Sequence, residues 1–280
     1  MKTVLDCIEM GTRYLEERAV ADARRNMQWL VAGQLGCERI DLYTQFDRPM
    51  HEDELAPLRE ALKRRASGEP LQHIMGTVEF CGRTFRCDRR ALIPRPETEE
   101  LAEAVLAAAF PRPTRLLDMG TGSGVLGLSV AAALGEECEA AHLADVSPEA
   151  LALAGENAAH HGLEVTLVES DLFGAVDGTF DLIVANLPYV ADADRESLAP
   201  EVRHDPPGAL FAGPDGLALI RAFVPAAAER LRPGGLLAME LGTGQSAEVL
   251  AMMTAARMNE CRCLSDLSGH DRFVFARAGS

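Results

Sequence analysis

The 280-residue sequence has no long apolar run. Its least polar stretch, Val125 to Leu134, is ten residues long and broken by Gly127 and Ser129, well short of the ~20 needed to span a bilayer. The opening segment carries Asp6 and Glu9 where a secretory signal needs an apolar core, so a cytoplasmic location is expected. The seven cysteines include no C-x-x-C pair and the seven histidines no H-E-x-x-H spacing. An odd, scattered set of thiols points to a reducing compartment rather than a disulfide framework, and no metal site is expected. Internal repeats and low-complexity tracts are missing too. Positive charge is scarce: 27 Lys and Arg stand against 43 Asp and Glu, a net charge of −16. Residues 1–72 hold 11 basic and 13 acidic residues, which leaves 16 and 30 for the rest. So acidic a domain repels phosphate backbones. No direct nucleic-acid contact is expected, and a protein partner is favoured.

What is present is a globular α/β pattern, 48% apolar. Residues 1–72 read as helical, with apolar positions of "VLDCIEMGTRYL", "NMQWLVAGQL" and "DELAPLREALKRRA" recurring at three- and four-residue spacing. Lys63, Arg64 and Arg65 read as a docking patch or, more simply, a solvated face near a helix C-terminus. Between Thr77 and Asp88 the pattern alternates around Gly82, which predicts a β-hairpin bridge within residues 73–92. In "LIPRPETEE", Pro94 and Pro96 hold the chain extended and Thr98 is placed to cap a helix through "LAEAVLAAAF". Residues 93–280 form the larger domain. Strands are expected at 115–119, 140–145, 164–170, 180–186, 234–241, 261–265 and 271–277. Helices are expected at 124–134, 147–161, 214–231 and 245–258. This alternation predicts a doubly wound, Rossmann-like, mostly parallel seven-stranded sheet with an antiparallel pair at one edge.

"LLDMGTGSGVLG" follows the first of these strands and opens a helix. Gly120, Gly122 and Gly124 allow a sharp turn and close approach to a ligand. Asp145, at the end of the next strand and 23 residues after Gly122, suits two ribose hydroxyls. Nicotinamide and S-adenosylmethionine folds share this logic. Asp118 tilts the choice, because a carboxylate suits a cationic sulfonium and not a pyrophosphate; it can equally cap nearby amides. Asp171, in "ESDLF", is placed to accept an adenine amino group. "FDLIVANLPYV" then ends a buried strand on Asn186, Leu187, Pro188 and Tyr189, which reads either as a turn or as a substrate clamp.

Taken together, D-x-G-x-G-x-G, Asp145, "SDLF" and N-x-P-Y resemble a class I S-adenosylmethionine-dependent methyltransferase acting on an amide or amine nitrogen. "GEPLQHIMGTVEF", "LIPRPETE", "RHDPPGALFAGPDGL" and "SDLSGHDRFVFAR" narrow the resemblance to the HemK/PrmC family. That resemblance covers nearly the whole chain. It implies N5-methylation of the Gly-Gly-Gln glutamine of peptide-chain release factors, with the helical N-terminal domain recognising the substrate and the chain acting as a monomer. It also implies that Asp118, Gly120, Thr121, Gly122, Ser123, Gly124, Asp145, Asp171, Leu172 and Asn186 bind cofactor. Asn186, Leu187, Pro188 and Tyr189 would bind substrate, with Asn186, Pro188 and Tyr189 catalytic. Leu187 departs from the family's usual Asn-Pro-Pro-Tyr, and Asn-Leu-Pro-Tyr is more familiar in adenine-N6 methyltransferases acting on RNA, which stands as the alternative. In the clamp reading the Asn186 side-chain carbonyl and the Leu187 backbone carbonyl hold the two N–H bonds of an amide, while Tyr189 packs on its flat face. Pro188 keeps residue 187 extended so that its carbonyl points inward.

Overall fold

The computed structural model describes residues 2–199 and 201–279 and divides into two compact units. One holds the chain up to Thr77 together with Ala199–His204, the other Val78–Leu198 and the chain from Asp205 onward.

The first unit contains α1 (Val4–Glu16), α2 (Ala23–Leu35), α3 (Glu52–Ala66) and the short α4 (Leu71–Met75). A 3-10 turn, Arg39–Thr44, precedes α3 and was not read from the sequence. α1 begins where Thr3 and Asp6 cap one another reciprocally, Asp6 N–H donating to Thr3 Oγ1 and Thr3 N–H to Asp6 Oδ2. Its Val4 and Ile8 then pack with Met27 and Val31 of α2 and Leu58 of α3. In the basic run of α3, Lys63 is exposed in the last turn, as a solvated face near a helix C-terminus requires, but Arg65 departs from both readings. Arg65 is neither a docking residue nor solvated: it is 3% exposed, and its Nε donates to Asn26 Oδ1 at 2.6 Å. It also pairs with Glu201 and donates to the Glu69 carbonyl at 3.2 Å. A guanidinium can be buried this way because several acceptors surround it.

In the second unit, β1 (Thr77–Phe80) and β2 (Arg83–Arg86) form the expected hairpin. Phe80 and Phe85 are fully buried in this unit's own core, so the hairpin belongs to the packing of the second unit. α5 (Pro96–Ala107) follows. Its N-cap is Arg95 with Pro96 at the first turn, so Thr98 lies inside the helix and its side chain is free for another partner. Then come β3 (Thr114–Met119), α6 (Val125–Leu134), β4 (Cys138–Asp145), α7 (Pro148–His160), β5 (Thr166–Glu169) and β6 (Phe180–Ala185). α8 (Ala218–Arg230), β7 (Leu231–Glu240), α9 (Ser246–Ala255), β8 (Asn259–Ser265) and β9 (Asp271–Arg277) complete it. α8 starts four residues later than its apolar pattern suggests. Gly213 and Gly216 have φ of +82° and +73°, which no right-handed helix admits.

The sheet runs β5-β4-β3-β6-β7-β9-β8. The first five strands are parallel, and β9 is antiparallel to both β7 and β8. Both faces are covered, as a parallel sheet requires. Leu116, Leu182, Val184, Leu236 and Ala238 face one core with α5 and α6. Leu117, Met119, Ile183, Ala185, Leu237 and Met239 face the other with α8 and α9. The chain leaves β3 in one direction to β4 and returns on the other side at β6. The β3/β6 boundary is therefore the switch point, where a crevice opens beyond the carboxyl ends of the strands.

Candidate active site

Period-two alternation decides which side chains reach that crevice. Positions 182 and 184 of β6 face the α5 side, so Asn186 follows on that side; positions 236 and 238 of β7 do the same for Glu240. Asp118 ends the equivalent series on β3. A cavity of about 210 Å³ opens there, lined among others by Thr98, Asp118, Gly120, Asp145, Asp171 and Asn186. Thr121, Gly122, Ser123, Leu172, Leu187 and Pro188 line it too, whereas Gly124 and Tyr189 do not.

The glycine loop is held by the strand beside it, with the N–H groups of Gly120 and Thr121 both donating to the Ala144 carbonyl, at 2.8 and 3.0 Å. Gly120 has φ +69°, and a Cβ on it would come 2.8 Å from the Leu187 side chain. Only glycine fits there. Asp145 accepts from Gly122 N–H at 2.8 Å and from Ser147 N–H at 2.9 Å, one on each carboxylate oxygen, and still faces the cavity. Asp118 is 1% exposed. Its Oδ2 accepts from Thr121 Oγ1 at 2.6 Å and Gly127 N–H at 2.9 Å. Burial pushes its carboxyl up to about 6 against the pull of those two bonds. The capping role and the cavity-facing role thus coexist in one side chain. Asp171 is exposed at the rim, next to Leu172, whose φ is +45°.

Around Asn186 the structure assembles a cluster that motif reading did not anticipate. Asn186 Nδ2 donates to Thr98 Oγ1 at 3.0 Å and to Glu240 Oε2 at 3.1 Å. Thr98 Oγ1 donates to Glu240 Oε2 at 2.7 Å, and Tyr189 Oη to Glu240 Oε1 at 3.2 Å. Burial pushes the Glu240 carboxyl up, with the Thr98 and Tyr189 hydroxyls opposing it. Burial, and then the neighbouring Glu240 charge, push the Tyr189 phenol up as well. Tyr189 is thus tied to Glu240 rather than placed over the cavity. Its backbone carbonyl accepts from Gln245 Nε2 at 3.0 Å.

Two further residues position the crevice. Asn157, fully buried, donates to the Ser123 carbonyl at 2.8 Å and accepts from Arg86 N–H at 2.7 Å, tying the glycine loop to the hairpin. Asp205, from "RHDPPG", accepts from Ile93 N–H at 3.1 Å and Arg95 Nη2 at 2.5 Å, joining it to "IPRP". Glu240 had one sequence signal, a lone carboxylate ending the apolar strand "LLAME". The contacts of Thr98, Asn157 and Asp205 span 34 to 142 residues of chain and leave no local pattern. Among the described residues no helix is long and apolar enough to cross a membrane, and the seven cysteines are free thiols.

Comparison with known proteins agrees with this geometry. The PrmC N-terminal domain matches residues 6–76 and the methyltransferase small domain residues 98–216. The chain is 44% identical over 281 residues to a release factor glutamine methyltransferase of Geobacter sulfurreducens, covering 99% of this chain and 97% of that one. It is 41% identical to a release factor glutamine methyltransferase of Deinococcus radiodurans, covering 97% of each. Among solved structures, a methyltransferase from Pyrococcus furiosus aligns with a TM-score of 0.51 at 17% identity, covering 70% of this chain and 89% of that one, a likeness of fold. Near-full-length identity of this order, with both domains matched, places the chain in the family of release factor glutamine methyltransferases.

Proposed function

We propose that this protein N5-methylates the glutamine of the Gly-Gly-Gln motif in a peptide-chain release factor, with S-adenosylmethionine as methyl donor. One observation carries the reading: the glycine loop and Asn186 line the same cavity at the switch point of the sheet. The residues present fit the donor. Gly120, at a φ of +69° that favours glycine, leaves the loop backbone open to the cavity, and Asp118, Asp145 and Asp171 all line it. Together with Thr121, Gly122, Ser123 and Leu172 they would hold it. When bound, S-adenosylmethionine supplies an electrophilic methyl on a sulfonium.

What the chain itself must do follows from the substrate. A glutamine nitrogen is a poor nucleophile, because its lone pair is delocalised into the carbonyl. Asn186 Oδ1 and the Leu187 carbonyl accept its two N–H bonds, fix its direction and stabilise positive charge as it develops. Pro188 keeps the Leu187 carbonyl turned inward. Tyr189, anchored on Glu240, holds the far side of the turn. Positioning of this kind lowers a barrier by roughly 7–11 kcal/mol, and oriented dipoles add to that. The proton leaves the cationic product amide to water, so no side-chain base is needed. The helical unit docks the body of the release factor.

The test is mass spectrometry of a release factor's Gly-Gly-Gln peptide after incubation with the protein and S-adenosylmethionine, with total RNA as a parallel substrate. The reading requires one added methyl on the glutamine. An unmodified peptide alongside methylated RNA would replace it with the adenine-N6 alternative.

A further inference from the structure

The Asn186 clamp has a symmetry problem. The two ends of a carboxamide have nearly the same shape, and a half-turn about its last side-chain bond exchanges the carbonyl oxygen for the NH2 group. Facing an N–H of substrate, one orientation attracts and the other repels. Nothing in Asn186 itself chooses between them.

The choice is made behind it. Glu240 is 1% exposed and receives three donors, from Thr98 Oγ1, Asn186 Nδ2 and Tyr189 Oη. A carboxylate only accepts. Thr98 has a single hydroxyl proton, which goes to Glu240 at 2.7 Å. The Thr98 oxygen is then left to accept from Asn186 Nδ2 at 3.0 Å. Both neighbours on this side of the amide therefore require N–H. The inverted amide would set Oδ1 against two acceptors in a desolvated place, at a cost comparable to an unsatisfied buried polar group.

We propose that Glu240, acting with Thr98, is the positioning residue that keeps the Asn186 carbonyl oxygen turned toward the cavity. The proposal rests on the glutamine-methylation reading, since an N–H substrate is what needs an acceptor there. Tyr189 faces Glu240 from the turn after β6, Thr98 and Glu97 from α5, and Arg272 from β9; Arg272 favours the carboxylate and Glu97 opposes it. The Thr98 and Tyr189 hydroxyls and Arg272 oppose the burial that disfavours the charge, and burial remains the larger effect.

Glu240→Gln keeps the shape and removes the charge. Its own NH2 can meet Asn186 Oδ1, so the amide is free to invert. Turnover on release factor should fall by about tenfold or more, while release-factor KM and cofactor affinity stay near wild type. Thr98→Val, which leaves Glu240 in place, should show a smaller loss and Thr98→Ser should recover most of it. Wild-type turnover in Glu240→Gln, or equal damage from Thr98→Val and Thr98→Ser, would overturn the proposal; if Glu240→Gln does not fold, the Thr98 pair decides. A readout independent of turnover is solvent exchange of the Asn186 NH2 signals in protein carrying isotope-labelled asparagine, identified by their absence in Asn186→Ala. Slow exchange in the wild type that becomes fast in Thr98→Val supports the lock, and unchanged exchange removes it. A protein inert toward release factor yet showing this protected amide would lose the function reading and keep the positioning role.

Discussion

At Asp118 a carboxylate sits 1% exposed with a hydroxyl and a backbone amide as neighbours and, among the described residues, no cation paired with it. Burial raises its pKa from 3.8 to about 6, a shift corresponding to roughly 3 kcal/mol. The folded state therefore binds the proton more tightly than the unfolded chain. This contribution is fully present below pH 3.8 and is lost as pH rises through about 6. Both bonds reach the same oxygen, so an asparagine carbonyl can take its place. Asp118→Asn should melt no lower than wild type above pH 6, yet bind S-adenosylmethionine more weakly by calorimetry, since the charge facing the cavity is gone. Unchanged affinity would reduce Asp118 to a brace for the loop. Asn186→Ala and Leu187→Pro separate the parts of the clamp. Asn186→Ala should cost on the order of 10²–10³ in kcat, with cofactor affinity less affected. Near-normal turnover in a folded Asn186→Ala protein would make the residue an ordinary strand end. Leu187→Pro keeps the carbonyl, so turnover should remain within about tenfold. It also removes a side chain that is 4% exposed and packed over Gly120. Thermal stability should then fall by about 2 kcal/mol, the low end for removing a buried leucine.

The turn carrying Asn186 to Tyr189 is an element held from outside. Val190 N–H donates to Leu210 at 2.9 Å and Ala212 N–H to Val190 at 3.0 Å, while Gln245 bridges Tyr189 O and Gly242 N–H. Gly216 fits against this turn so closely that a Cβ would lie 2.2 Å from Tyr189 O, and its φ is +73°. That neighbour is backbone and cannot swing aside. Gly216→Ala should therefore displace the turn and reduce turnover while cofactor affinity, set at the glycine loop, is kept. Equal kcat in Gly216→Ala and wild type would show the turn has slack. The extended strands here were legible because Leu182 to Ala185, behind Phe180, is an unbroken apolar run, and period and length identify such runs. The start of α5 was not. Pro96 and Thr98 both favour helix starts; Pro96 leads, and the Thr98 hydroxyl goes instead to Glu240, 142 residues away.

At the scale of the whole molecule, the division after Thr77 makes the N-terminal helices separable in principle. A chain beginning at Gly76 should bind S-adenosylmethionine like the full-length protein but turn over intact release factor at least about tenfold more slowly, a docking contribution of ~1.4 kcal/mol. Equal turnover would show that the helical unit recognises nothing. A chain beginning at Arg90 should do worse, because it loses Phe80 and Phe85 from the core of the second unit. Each buried phenylalanine is worth about 3–5 kcal/mol, against a total stability of roughly 5–15. That chain should fail to melt cooperatively.

Periodicity, turn chemistry and the glycine loop are properties of neighbouring residues. The order of helices and strands, the parallel sheet with its antiparallel edge, and the candidates Asp118, Asp145 and Asn186 could for that reason be read from the sequence by itself. Folding alone decided what those candidates touch. Asp118 serves a hydroxyl and a backbone amide as well as the cavity, Tyr189 turns to Glu240 instead of the cavity, and Arg65 is interior rather than exposed. The side chains that orient Asn186 come from α5 and β7, brought to β6 by strand order and by the period-two rule that puts positions 186 and 240 on one face. A hydrogen bond across 54 or 142 residues depends on the register of strands that pair only once the sheet is complete, and no local spacing encodes it.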